Sequence, residues 1–178
     1  MADILQELLK RRSCRKYQAE LIKDEELDKI IKAGQFAASG MGKQSAIIIA
    51  VTNKAVRDKI SAMNAKIMGP AFTGDPFYGA PEILIVLADK TIPTYLYDGS
   101  LVLGNMMAEA SSLGVGSCWI HRAKEEFLAE EGKELLTAWG IDADRYEGIG
   151  HLAIGYPQEA ELKKLAAPRK QPFIYFIK

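Results

Sequence analysis

Lys10-Arg11-Arg12-Ser13-Cys14-Arg15-Lys16-Tyr17 puts five cations into eight residues, in a chain whose charges otherwise cancel at 23 Lys and Arg against 23 Asp and Glu. Two readings of such a cluster are open. One is a solvated helix end, where cations suit the negative end of the helix dipole. The other is an anion, a phosphate above all, held by several fixed donors. Arg offers a rigid fork matched to phosphate oxygens, and Ser13 adds a short hydroxyl. Arg11 and Arg12 fit the first reading as the close of a helix over residues 3–12. Ser13 and Arg15 lie beyond that helix and need another reason.

At 178 residues with 48% hydrophobic content, the chain is expected to form one domain over 1–178, with residues 158–178 as a C-terminal arm. A pI near 6.7 argues against a general nucleic-acid binder. Cys14 and Cys118 lie far apart without a C-x-x-C, which excludes a disulfide framework and a zinc site and fits a reduced, cytoplasmic setting. The first ten residues alternate apolar and charged positions, unlike a signal peptide. The apolar runs 46–51 and 83–88 are of strand length, too short for a membrane span.

Outward from the cluster, the pattern alternates helices and strands. Asp3 and Gln6 resemble a capping box for the first helix, with Leu5, Leu8 and Leu9 on one face. Asp24 is expected to cap a second helix carrying Leu27, Ile30 and Ile31. That helix runs out at the small-residue stretch Ala37-Ala38-Ser39-Gly40-Met41-Gly42, ahead of a buried strand at 46–51. Asn53 opens a third helix with Val56, Ile60, Met63 and Ile67 inward, and Asn64 beside that stripe. A turn-rich loop, Met68 to Pro81, carries Phe72, Phe77 and Tyr78 as anchors or as a lid. A buried strand follows at 83–88. Asp98 is expected to cap a helix to Leu113 that is apolar on more than one face, so a second subunit is one candidate cover. Strands at 115–121 and 148–155 flank a charged helical stretch, 124–139, broken near Gly132 and stopped by Gly140. After a polar arm, Phe173-Ile174-Tyr175-Phe176-Ile177 reads as a strand that returns to its own sheet or joins a neighbour's.

Several motifs are rejected. Gly148-Ile149-Gly150-His151-Leu152-Ala153 matches G-x-G-x-x-A, but it lies in a strand rather than between a strand and a helix. His121 and His151 read as two strand histidines rather than metal ligands, so no metal is expected. Cys118 reads as a core thiol, whereas the arginines beside Cys14 would lower a thiol pKa. No acid, base or nucleophile stands out; if the chain catalyses, a cofactor carries the chemistry.

Six landmarks, in order, resemble the FMN-dependent nitroreductase family over nearly the whole chain. They are Arg11 to Tyr17; Ala37 to Gln44; Asp75-Pro76-Phe77-Tyr78-Gly79-Ala80-Pro81; Asp98 and Asn105 with Leu113 to Ile120; Gly155-Tyr156-Pro157; and Pro168-Arg169-Lys170. The resemblance implies an α+β fold, a three-layer α/β/α sandwich with a mainly antiparallel central sheet and a C-terminal strand swapped to the partner subunit. It implies a homodimer with two FMN sites at the interface. Arg11, Ser13 and Arg15 would hold the phosphate and the polar side of the flavin, with Arg12 and Arg169 near them. Ser39, Gly40 and Gln44 would come from the other subunit. Asn64 would bond the pyrimidine side, and backbone groups at Ile120, His121 and Arg122 would approach the hydride-accepting edge.

The implied activity is ping-pong transfer from NAD(P)H through the flavin to a nitroaromatic, quinone or similar small acceptor, with no catalytic side chain of the protein's own. A flavin-binding carrier or sensor without turnover is the alternative. Two departures from the family stand out. No Trp accompanies Gln44, and His121-Arg122 stands where smaller or acidic residues are common, which places a cation near the substrate.

Overall fold

The computed structural model describes residues 4–162 and 165–178. In chain order the elements are α1 (Ile4–Lys10), α2 (Asp24–Gln35), a short 3-10 turn (Gly40–Gly42), β1 (Ala46–Val51), α3 (Lys54–Met68), β2 (Glu82–Asp89), α4 (Tyr95–Ser112), β3 (Gly116–Ile120), α5 (Ala123–Leu128), α6 (Glu130–Ala138), β4 (Tyr146–Gly155) and α7 (Glu159–Leu162). The four strands form one sheet in the order β1-β2-β4-β3, and every neighbouring pair is antiparallel.

The unbroken apolar run of β2 demands cover on both faces. It is buried along its whole length, and its alternating side chains divide into two cores. Ile83, Ile85 and Leu87 pack with Ile60 of α3, Phe127 of α5 and Leu136 of α6. Leu84, Val86 and Ala88 pack with Ile30 of α2 and Leu103 and Met106 of α4. The result is the expected α+β sandwich of three layers. The G-x-G-x-x-A stretch lies inside β4, as expected. Its Gly148 is needed for packing, because a Cβ there would meet the Ala123 carbonyl at 2.2 Å.

Boundaries move where a side chain has better partners elsewhere. The N-cap of α2 is Lys23, without a side-chain cap bond, and Asp24 is already helical. Asn53 does cap α3, its Oδ1 accepting from the Val56 amide at 3.1 Å. α4 starts three residues before Asp98, whose carboxylate turns toward the 39–45 loop instead of capping. The charged stretch breaks at Ala129, where the backbone is extended, rather than at Gly132. Gly140 stops it as expected, at φ +74°.

The chain's two ends differ from expectation. α1 stops at Lys10, so Arg11 and Arg12 lie beyond it; Asp3 falls outside the described residues. α1 buries none of its own residues, and Leu5, Leu8 and Leu9 remain exposed. Phe173 to Ile177 form no strand in the single chain: they run without secondary structure, each at least 64% exposed. A strand exists through bonds to a neighbour, and among the described residues none lies alongside them. The first residue of the 158–178 stretch is bonded to the body. The Gln158 amide donates to the Lys16 carbonyl at 3.0 Å, and Gln158 Nε2 to the Tyr17 carbonyl at 3.0 Å.

At the end of β2, Asp89 accepts from Arg145 Nε at 2.8 Å and from Thr91 Oγ1 at 2.6 Å. The bonds from Arg145 and Thr91 outweigh burial and push its pKa down to about 2. A carboxylate depressed on folding stabilises above its unfolded value, roughly 3.9, and that stabilisation fades as pH falls toward about 2. Asp89→Asn should therefore flatten this part of the acid limb in a plot of Tm against pH while leaving the curve's shape above pH ~5 unchanged; thermal melts across that range check it.

Candidate cofactor site

The cationic stretch is laid along the sheet by backbone bonds. Ser13 bridges Ser117 in parallel register, and the Cys14 amide donates to the Ser117 carbonyl at 2.9 Å. Farther on, Tyr17 bridges Pro157 and the Gln18 amide donates to the Tyr156 carbonyl at 2.8 Å. The Tyr17 hydroxyl is buried against the carbonyls of Cys14 and Ala153, at 2.9 and 3.2 Å, and burial drives its pKa far up. Cys14, whose neighbouring arginines were read as lowering a thiol pKa, is buried in the core with Cys118.

This arrangement leaves donors aimed at no protein acceptor. Arg12 Nη1 donates to the carbonyls of Leu9 and Arg11, at 2.7 and 2.6 Å. Arg12 Nε and Arg11 Nη1 are buried and have no hydrogen-bond partner among the described residues. A cavity of about 200 Å³ opens here, lined by Arg11, Arg12, Ser13, Gly116, Ser117 and Glu161 among others. Two carboxylates, Glu7 and Glu161, also line it, and Glu7 pairs with Lys10 at 3.3 Å. Glu161 Oε2 accepts from the Arg15 amide at 2.7 Å. The Arg15 guanidinium lies 5.6 Å from the Tyr78 ring centroid, and its hydrogen bond with Tyr78 is the main cause raising its pKa. Tyr78 holds this place at φ +58° in a loop anchored by Asp75, which accepts from Arg57, Ser61 Oγ and the Phe77 and Gly79 amides.

The second group of expected residues sits elsewhere. Ser39, Gly40 and Gln44 precede β1 in a loop with Met41 at φ +51° and Gln44 at φ +49°. Asp98 organises that loop: Oδ1 accepts from the Gly40 amide at 2.9 Å, and Oδ2 from Ser45 Oγ at 2.7 Å and Thr94 Oγ1 at 3.1 Å. Burial alone would raise its pKa, but these bonds outweigh it and hold the carboxyl low. Gly40 is required, since a Cβ would meet Thr94 Oγ1 at 2.3 Å. Beside the loop runs a groove of about 840 Å³, lined by Ser39, Gln44, Ile48 and Val102 among others, with Phe36 79% and Met41 83% exposed near it.

Sheet topology keeps these two groups apart. β1 and β3 are opposite edges of the sheet. Gln44 precedes the start of β1, at the end where β4 begins; Arg11 to Arg15 flank the start of β3, at the end where β4 finishes. They occupy diagonally opposite corners of one chain.

A third group lies past the far end of β3. His121 is exposed and outside the strand, unlike His151, which is fully buried with Nε2 2.5 Å from Glu126 Oε2. Asn64, also fully buried, donates from Nδ2 to the His121 carbonyl at 3.0 Å and accepts at Oδ1 from Arg122 Nε at 2.8 Å. Its amide is thus engaged by the 121–122 backbone and the arginine. Arg122 stands at φ +83°, a strained place for a non-glycine residue that costs on the order of 1 kcal/mol or more. Arg169 lies on the exposed tail and makes no hydrogen bond or ion pair among the described residues.

Sequence reasoning missed Asp98 as the loop's anchor, because its position next to a helix start mimics a cap. It missed the grip of Asn64 on Arg122, which no spacing reveals. Tyr78 was visible within its aromatic-Ala-Pro stretch, but its pairing with Arg15 was not.

The sequence model described as "Nitroreductase family" matches residues 8–71. An Archaeoglobus fulgidus protein, provisionally described as an NADH dehydrogenase/NAD(P)H nitroreductase, is 30% identical over 165 residues, covering 89% of this chain and 88% of the relative. The "FMN reductase [NAD(P)H]" of Bacillus subtilis is 27% identical, covering 96% of this chain and 72% of its own length. The crystal structure of a nitroreductase with bound FMN from Bacteroides fragilis superposes with a TM-score of 0.88 at 27% identity, over 100% of both chains.

Asp98→Ala should unfasten the 39–45 loop. Removing a buried carboxylate that accepts three bonds costs about 2–4 kcal/mol. Hydrogen exchange at the Gly40 amide should accelerate well beyond that in β2, whereas uniform acceleration across the sheet would place the role of Asp98 in the global fold.

Proposed function

The chain belongs to the nitroreductase family, and from that premise we propose that it is an FMN-dependent NAD(P)H oxidoreductase working as a homodimer, built from one domain over 1–178 in a cytoplasmic setting. The observation that carries the cofactor assignment is the pair of buried, unpartnered guanidinium nitrogens at Arg11 and Arg12 facing a small cavity beside Ser13. A buried N–H without an acceptor is costly, and a phosphate oxygen is an acceptor matched to it. The donor set therefore fits the FMN phosphate.

When bound, FMN supplies the redox chemistry, taking hydride from NAD(P)H and passing electrons to a nitroaromatic, quinone or similar acceptor. The chain's own part is binding and orientation. Arg11, Arg12 and Ser13 line the cavity and would hold the phosphate, with the Arg15 guanidinium outside that lining against Tyr78 and available to the polar side of the flavin. Tyr78 keeps the Arg15 guanidinium in place. The backbone at Ile120 and His121, held by Asn64, lines the reacting edge. Asn64 holds that backbone and Arg122 in place, and its second amide N–H would serve the pyrimidine side of the flavin.

Two chains are part of the proposal for a geometric reason. Ser39, Gly40 and Gln44 cannot meet Arg11 to Arg15 from the opposite corner of the same sheet, so a partner subunit would bring them. The same partner would cover the exposed apolar face of α1, and its sheet would give Phe173 to Ile177 a strand to join, carrying Arg169 with it. Exposed apolar surface on this scale is characteristic of an interface.

Purified protein titrated with FMN should bind it, and anaerobic NADH or NADPH should then bleach the visible flavin band. Failure to take up FMN overturns the proposal; uptake without bleaching assigns the protein to flavin carriers or sensors. Arg11→Ala should raise the Kd for FMN by roughly 10- to 150-fold, the loss of one charge-assisted contact of about 1.5–3 kcal/mol, with little change in Tm.

A further inference from the structure

Arg122 is placed with more care than a surface cation needs. Its backbone is held in the left-handed region at φ +83°, which a glycine would take without strain. Its Nε is fastened at 2.8 Å to Asn64, a side chain with no exposed surface, and the other end of that amide holds the neighbouring His121 carbonyl at 3.0 Å. No carboxylate pairs with the guanidinium among the described residues. One edge of the fork is thus locked and the two Nη groups are left over. A guanidinium held this way presents two parallel N–H donors in a set direction, the geometry that accepts a carboxylate or phosphate in two bonds.

We propose that Arg122 is a specificity-determining residue that recognises an anionic group on the substrate bound against the 120–122 segment, so that the enzyme prefers flat acceptors bearing a carboxylate. The inference rests on the oxidoreductase reading above for its location at the reacting edge. The strain at Arg122 and the burial of Asn64 are what distinguish it from a solvated charge: a mobile surface arginine keeps its rotamers free and spends no buried amide. Asn64 is accordingly a positioning residue, acting through Arg122 and the His121 carbonyl. The phosphate that distinguishes NADPH from NADH offers the same chemistry from the coenzyme side, and the test separates the two sources.

The probes are 4-nitrobenzoate and 4-nitrobenzyl alcohol, alike in ring and nitro group but different in charge, with benzoate as a ligand that cannot be reduced. Wild-type kcat/KM should favour the acid by about tenfold or more. Arg122→Gln should erase that preference by raising KM for the acid, and Arg122→Lys should fall between. Benzoate affinity, measured by calorimetry, should weaken about tenfold in Arg122→Gln. If the lost preference is instead NADPH over NADH, Arg122 still recognises an anion and the coenzyme carries it. The proposal is overturned if the wild type shows neither preference, or if both ratios and the benzoate affinity survive in Arg122→Gln. Calorimetry repeated without FMN separates the two levels. Arg122-dependent benzoate binding in a protein that takes up no flavin sinks the oxidoreductase reading and keeps the anion site. Flavin uptake with Arg122-independent benzoate binding does the reverse.

Discussion

β2 buries all eight of its residues, so it needs a helical layer on each face and a strand on each edge. Those requirements account for most of the molecule. α2 and α4 supply one layer, α3, α5 and α6 the other, and β1 and β4 take the two edges. With β3 added outside β4, the sheet gains two outer strands that point their starting ends to opposite corners. The cationic stretch is bonded to one corner and the Asp98-anchored loop belongs to the other. The separation of the two groups follows directly from strand order, and with it the need for a second chain if both are to reach one ligand.

Within each corner, local strain and buried polar groups set the donors. Met41, Gln44, Tyr78 and Arg122 are the four non-glycine residues at positive φ among the described residues, and all four lie in or beside the candidate site segments. Each is held by a hydrogen-bonded neighbour: the loop of Met41 and Gln44 by Asp98 and Ser39, the loop of Tyr78 by Asp75, and Arg122 by Asn64. Strain concentrated this way, and over-determined by hydrogen-bond acceptors, is the pattern of a preorganised binding site rather than of loose surface loops. The unpartnered nitrogens of Arg11 and Arg12 fit the same pattern: donors left unmet are costly, and a ligand acceptor would offset that cost.

Strand runs were legible because burial on both faces leaves no polar alternation, as in Ile83 to Ala88, and the helix stripes of α3 and α4 were legible from their period. The helix starts were less so. Asp24 and Asp98 look like caps, yet one is simply first in its helix and the other has three donors elsewhere, a choice made by tertiary partners. The cluster from Arg11 to Arg15 was visible as charge, but the neighbours that close a cavity around Arg11, Arg12 and Ser13, Gly116 and Ser117, arrive from about a hundred residues away. Asn64 and Arg122 are fifty-eight residues apart, and only folding shows that each completes the other. Phe173 to Ile177 has strand-forming residues and no strand, because pairing depends on a neighbour that one chain does not provide.

The most direct test of a site assembled from two chains is subunit complementation. If the proposed homodimer holds, Arg11→Ala and Gln44→Ala would each impair both of its sites, from opposite corners. Mixed dimers contain one site carrying both changes and one carrying neither. FMN titration of the mixed species should therefore recover about one tight site per dimer, where each variant alone has none. If mixing leaves FMN affinity at the level of the separate variants although heterodimers have formed, the site is not shared between chains and the two-corner assembly is wrong.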